Sequence, residues 1–170
     1  MTLIPRKTKV VAAAAAAVAA TGLLTGTAHA GPEHHGTYPD VAPSYCNRNA
    51  GLIATRGIET ELGAVVSYVD VYYSYSCQTN WIRVRGNDAG GATIKTIWSD
   101  AVPGQLGETD YGTAASYTKQ VYAPGSTCVR FQVKLTWPDG RHYAETYTAG
   151  SNHQVVCDQE QPVPISAQHQ

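Results

Sequence analysis

Apolar and polar residues alternate along several stretches of the chain with a period of two, the signature of a strand with one buried face. Over residues 64–75, Val65, Val69, Val71 and Tyr73 fall on one face and Tyr68, Asp70 and Tyr72 on the other. Over residues 81–85, Ile82 and Val84 oppose Trp81, Arg83 and Arg85. The cleanest run is 128–137, where Val129, Phe131, Val133, Leu135 and Trp137 oppose Arg130, Gln132, Lys134 and Thr136. Weaker strands are predicted over 92–98 and 116–123, and a short last one over 153–157. Pro138-Asp139-Gly140 reads as a three-residue turn that returns the chain into a strand over 141–148, and Gly90-Gly91 reads as another hairpin turn. Six or seven antiparallel strands in about 110 residues predict an all-β fold, a small antiparallel β-sandwich or barrel.

Composition agrees with that pattern. Beyond residue 30 the chain has 13 Val, 6 Ile, 13 Thr and 11 Tyr against 4 Leu and no Met, which favours strand over helix. Only 22 of those 140 residues are charged, so wholesale disorder is excluded. Residues 31–44, with three prolines, read as a flexible lead-in, residues 45–157 as a single domain, and residues 158–170 as a disordered tail.

The first thirty residues read as an export peptide. Arg6, Lys7 and Lys9 form a positive start, residues 10–24 are an Ala/Val/Leu run, and Ala28-His29-Ala30 offers small residues for cleavage after Ala30. The run is shorter than the roughly 20 residues a membrane helix needs, so a secreted protein without a membrane anchor is predicted. Its removal takes three cations and no acid, leaving 9 cations against 13 acids, a net charge of −4. A nucleic-acid partner is thereby disfavoured.

In an exported chain, the even count of Cys46, Cys77, Cys128 and Cys157 predicts two disulfides. Three pairings are possible. The preferred one is sequential, Cys46 with Cys77 and Cys128 with Cys157, closing loops 31 and 29 residues long. No paired Cys-x-x-Cys spacing suggests zinc.

The segment 71–84 (VYYSYSCQTNWIRV) resembles a domain of unknown function common in secreted actinobacterial proteins. In that family a strand ending in Tyr-Ser-x-x-Cys is followed after three residues by Trp-x-Arg-Val. Tyr73, Ser74, Cys77, Trp81, Arg83 and Val84 fill those places, and Cys46 fits an upstream cysteine. The resemblance covers about 15 residues and implies secretion. It implies no catalytic residue, because the family has no settled activity.

Three candidate chemistries follow. If residues 64–75 and 81–85 pair as a hairpin with both apolar rows inward, odd positions must face even ones. Tyr68, Asp70, Tyr72, Trp81, Arg83 and Arg85 then share the other side, a surface suited to a glycan or a protein partner. The leading expectation is a non-catalytic, monomeric extracellular binding module of this kind. A second is an inhibitor of an extracellular enzyme, using residues 99–115 as a rigid loop. A third is a small hydrolase: a three-residue turn would pair Val133 with Glu145 and aim that carboxylate at the apolar side, where burial makes general acids. His34, His35, His142 and His153 have no recognisable metal spacing, and no nucleophile, phosphate-loop or calcium-loop motif occurs. No metal or cofactor is predicted.

Overall fold

The computed structural model describes residues 31–43, 45–146, 151 and 153–157. The predicted export peptide, residues 1–30, and the predicted tail, residues 158–170, lie outside them. Among the described residues ten strands are present: β1 (Ala50–Thr60), β2 (Val65–Ser74), β3 (Thr79–Val84), β4 (Ala92–Ser99), β5 (Leu106–Tyr111), β6 (Ser116–Tyr117), β7 (Val121–Tyr122), β8 (Val129–Thr136), β9 (Tyr143–Glu145) and β10 (Gln154–Val156). They form one antiparallel sheet in the order β5-β4-β8-β9-β1-β2-β3-β6, with β10 on β8 and β7 on β3. The sheet curls into a nearly closed barrel or sandwich. The all-β prediction stands. The strands beyond the expected six or seven are β1, β5 and the split of 116–123 into β6 and β7.

The strongest alternations form strands as read. In β8, Val129, Phe131, Val133 and Leu135 are fully buried, and β2 and β3 contribute Val69, Val71, Ile82 and Val84 to the same core. Fully burying such a side chain stabilises the fold by roughly 1.5–3 kcal/mol. Val65 departs from its expected face and is exposed. The pairing of β1 with β2 shifts between Ile58↔Ser67 and Glu59↔Val65, so Val66 is an extra residue that reverses the alternation beyond it.

Gly90 and Gly91 do lie at a turn, closed by Gly90 N–H to Asn87 O at 2.9 Å. It is not a hairpin, because β3 pairs with β2, β6 and β7 while β4 pairs with β5 and β8. Instead the chain passes there from β3 to β4 against the segment between β5 and β6, with Asn87 N–H bonding Thr113 O at 3.2 Å and Gly112 N–H bonding Gly91 O at 3.1 Å. Gly91 packs against the backbone of β8, where a Cβ would come within 2.2 Å of the Thr136 carbonyl oxygen.

Side chains complete the ring between the terminal strands β5 and β6. Lys95, fully buried on β4, bonds Asp110 of β5, the Ser116 hydroxyl at 2.9 Å and the Tyr117 carbonyl at 3.2 Å on β6. Nearer the other end of β4, Ser99 donates to the Tyr122 carbonyl of β7 at 2.6 Å. The segment 31–43, expected to be a loose lead-in, packs along this seam. Gly36 N–H bonds Gln120 O and Gln120 N–H bonds Thr37 O, each at 2.9 Å. Tyr38 donates to Glu108 of β5 at 2.7 Å while Asp40 accepts from Tyr117 of β6 at 3.0 Å. Both disulfides form in the preferred pairing, Cys46 with Cys77 and Cys128 with Cys157.

Candidate functional site

The hairpin of β2 and β3 pairs odd with even, including Asp70↔Arg83 and Tyr72↔Trp81. All six residues of the expected binding face therefore share one side, but two of them are not available to a ligand. Asp70 is buried: its carboxylate accepts from Arg85 Nε at 2.9 Å, Arg85 Nη2 at 2.8 Å and the Thr55 hydroxyl at 2.7 Å. The Asp70 hydrogen bond raises the pKa of the Arg85 guanidinium, which also stands 5.3 Å over the Tyr68 ring. Trp81 is buried too, with Tyr72 stacked on it at 5.6 Å between ring centroids and 10° between planes. A carboxylate and an indole that neighbouring strands can satisfy are drawn into packing rather than left open to solvent. Tyr68, Arg83 and Arg85 remain exposed, beside a shallow recess of about 270 Å³ lined by Val65, Ser67, Tyr68, Arg85 and Asp88.

Glu145 also differs from expectation. The connection after β8 holds four residues, 138–141, closed by Trp137 N–H to His142 O at 3.1 Å and Gly140 N–H to Trp137 O at 3.0 Å. Asp139 stabilises the longer turn by accepting from the amides of Arg141 at 2.9 Å and His142 at 3.3 Å and by meeting His142 Nδ1 at 2.7 Å. Those bonds, the Arg141 amide foremost, hold the Asp139 carboxyl below its ordinary pKa. With one residue more in the turn, Glu145 lies opposite Lys134 rather than Val133, and Ala144 takes the buried place opposite Leu135. The carboxylate is on the solvent side, not in the core.

The 99–115 stretch is not a free loop, since its middle forms β5 against β4. Among the described residues, His34, Cys46 and Cys77 come together as metal ligands would. The two sulfurs are joined in a disulfide and supply no thiolate.

A further concavity, outside the residues singled out in the sequence, lies between the tips of the β1–β2 and β8–β9 hairpins. β1 and β9 pair through Glu59↔Glu145 and Thr60↔Ala144, which brings residues 61–64 beside 137–143. The cleft encloses about 640 Å³ and is lined by Leu62, Ala64, Trp137, Arg141, His142 and Tyr143. Leu62 is 97% exposed. Trp137 packs partly on the core and meets His142 edge to face at 6.5 Å. A second space of about 470 Å³ shares Glu61 and Tyr143 with the cleft and adds Glu59 and Glu145. The Tyr143 hydroxyl donates to Glu61 at 3.0 Å, and that bond raises the phenol's pKa. The only sequence sign of the cleft is an apolar residue in a charged turn, Glu61-Leu62-Gly63, and a Trp immediately before Pro-Asp-Gly.

A third recess, about 430 Å³, opens at the seam among Tyr38, Asp40, Glu108, Asp110, Ser116 and Tyr117. Its polar groups are engaged, Tyr38 with Glu108, Tyr117 with Asp40, and Asp110 and Ser116 with Lys95. The Glu108 carboxylate pushes the Tyr38 phenol up to about 12, and Asp40 likewise raises that of Tyr117. No family model, curated protein or solved structure matches this chain.

Proposed function

We propose that the protein is a secreted, non-catalytic binding module that holds its ligand in the cleft between the β1–β2 and β8–β9 hairpins. The two disulfides fit an oxidising, extracellular location. Arg6, Lys7, Lys9 and Ala28-His29-Ala30 support export with cleavage after Ala30. The resemblance of segment 71–84 to domains of secreted actinobacterial proteins supports the same location.

The observation that carries the reading is the cleft itself. It is preformed, about 640 Å³ in volume, and combines Leu62, Ala64 and Trp137 with a few convergent polar groups, the usual composition of a ligand site. The exposed part of the Tyr68/Arg83/Arg85 face offers a far smaller recess, with its best hydrogen-bonding carboxylate, Asp70, already saturated. The test is a paired glycan and peptide array probed with the wild-type chain and with Leu62→Ser, a change at an exposed position that leaves folding intact. Ligands retained by the wild type and lost by the variant support the cleft; retention unchanged by Leu62→Ser refutes it.

One observation favours a hydrolase instead: Glu59 directly opposite Glu145, two carboxylates side by side. Against it, both lie on the solvent side rather than in a water-excluded pocket. Release of reducing sugar from a polysaccharide panel, abolished by both Glu59→Gln and Glu145→Gln, would establish that alternative.

A further inference from the structure

We infer that the occupant of the cleft is an extended segment of a partner protein carrying an apolar side chain two positions from a lysine or arginine; this rests on the cleft being the binding site. The two compartments differ in chemistry. The larger offers Leu62, Ala64 and Trp137 beside Arg141 and His142, the smaller adds Glu59 and Glu145, and Glu61 and Tyr143 line both. Directly opposed like charges destabilise a sheet, and Glu59 opposite Glu145 is such a pair. Among the described residues none of the three carboxylates has an ion pair. The nearest cation in register, Lys134, places its ammonium 3.9 Å from the centre of the Tyr143 ring instead. A cation arriving from outside therefore removes a repulsion that the fold leaves standing.

Charge and shape choose among occupants. A neutral glycan meets the aromatic wall but leaves the carboxylates uncompensated, and the aliphatic Leu62 offers it no stacking face. A second copy of this chain is a poor counterpart, because residues 31–170 hold 9 cations against 13 acids. An extended peptide satisfies both compartments at once, since alternate side chains of a strand point the same way about 6–7 Å apart and can enter neighbouring pockets.

The test uses short fluorescein-labelled peptides in a Gly/Ser background, read by fluorescence anisotropy against the oxidised chain. One carries Phe-Lys-Lys, a second Phe-Gln-Gln, a third Ser-Lys-Lys. Saturable binding of the first, with both controls weaker, is the expected result. The Glu59→Gln/Glu145→Gln variant should weaken it about fivefold, as the loss of partly exposed charge pairs does. Raising the salt to about 1 M should weaken it as well. Leu62→Ser and Trp137→Ala should weaken it independently of salt. Equal binding of Phe-Gln-Gln, or of Ser-Lys-Lys, overturns the inference and leaves the cleft reading in place. So does a neutral glycan that Leu62→Ser releases while no peptide binds, or self-association that Leu62→Ser abolishes. Peptide binding indifferent to both Leu62→Ser and Trp137→Ala overturns the inference and the cleft reading together.

Discussion

Lys95 is the residue whose position the fold depends on most visibly. A lysine with its side chain wholly inside a β-barrel must be paired, since an isolated buried ammonium is too costly to keep charged. Here its three donors are all used, by Asp110, Ser116 and Tyr117, across the gap between β5 and β6. The pair is asymmetric: the ammonium is shielded, whereas the Asp110 side chain is half exposed. That asymmetry decides what substitution does. Asp110→Asn strands a buried charge and should lower stability by about 2 kcal/mol, less than the 3–5 kcal/mol typical of wholly buried pairs because water reaches one side. Lys95→Met removes the charge, keeps much of the volume and lets Asp110 hydrate, so it should cost under about 1 kcal/mol. Urea unfolding of the two variants reads the difference; a costlier Lys95→Met would show that the ammonium's bonds, not its desolvation, dominate.

Strands were legible in proportion to how regularly their alternation runs. In β8 every second residue is buried without interruption, and β2 with β3 obeys the parity that two inward apolar rows demand. β1, the longest strand at 11 residues, escaped notice. Its pairing shifts between Leu52 and Ala54, making Ile53 an extra residue, and Gly51 and Gly57 dilute its pattern. β5 escaped for the opposite reason, being a polar edge strand with no apolar face to read. One turn residue misplaced Glu145, because Asp139 caps two amides and lengthens the turn from three residues to four. The cleft was invisible because its walls are two hairpin tips some 75 positions apart in sequence, near Leu62 and Trp137. At this scale Gly91 makes the sharpest prediction. A Cβ there would press to 2.2 Å on the Thr136 carbonyl oxygen, which belongs to the β8 backbone and cannot swing aside. Gly91→Ala should therefore cost about 1–3 kcal/mol, in the range of overpacked cores. A thermal midpoint equal to the wild type would show that β8 yields without penalty.

Across the whole molecule, the disulfides and the cleft sit at opposite ends. β2 starts beside Leu62 and ends beside Cys77, and β8 starts beside Cys128 and ends at Trp137. Because β8, β9, β1 and β2 alternate in direction, both disulfides lie at one end of the barrel and the cleft lies at the other. The ten residues of β2, at about 3.3 Å each, separate them by about 30 Å. Each disulfide closes a loop of about 30 residues, for which the chain-entropy account gives roughly 3–4 kcal/mol, acting on the unfolded chain rather than on native contacts. Effects at sites this far apart add rather than couple. Cys46→Ser/Cys77→Ser should therefore lower the urea midpoint by the equivalent of about 3 kcal/mol. While the chain remains folded, its affinity for a cleft ligand should stay unchanged. The measurement is a pair of titrations on the same variant, urea for stability and anisotropy for binding. A loss of affinity that precedes unfolding would show that the cleft is held in shape from the disulfide end, through β2 and β8, rather than by its own two hairpins.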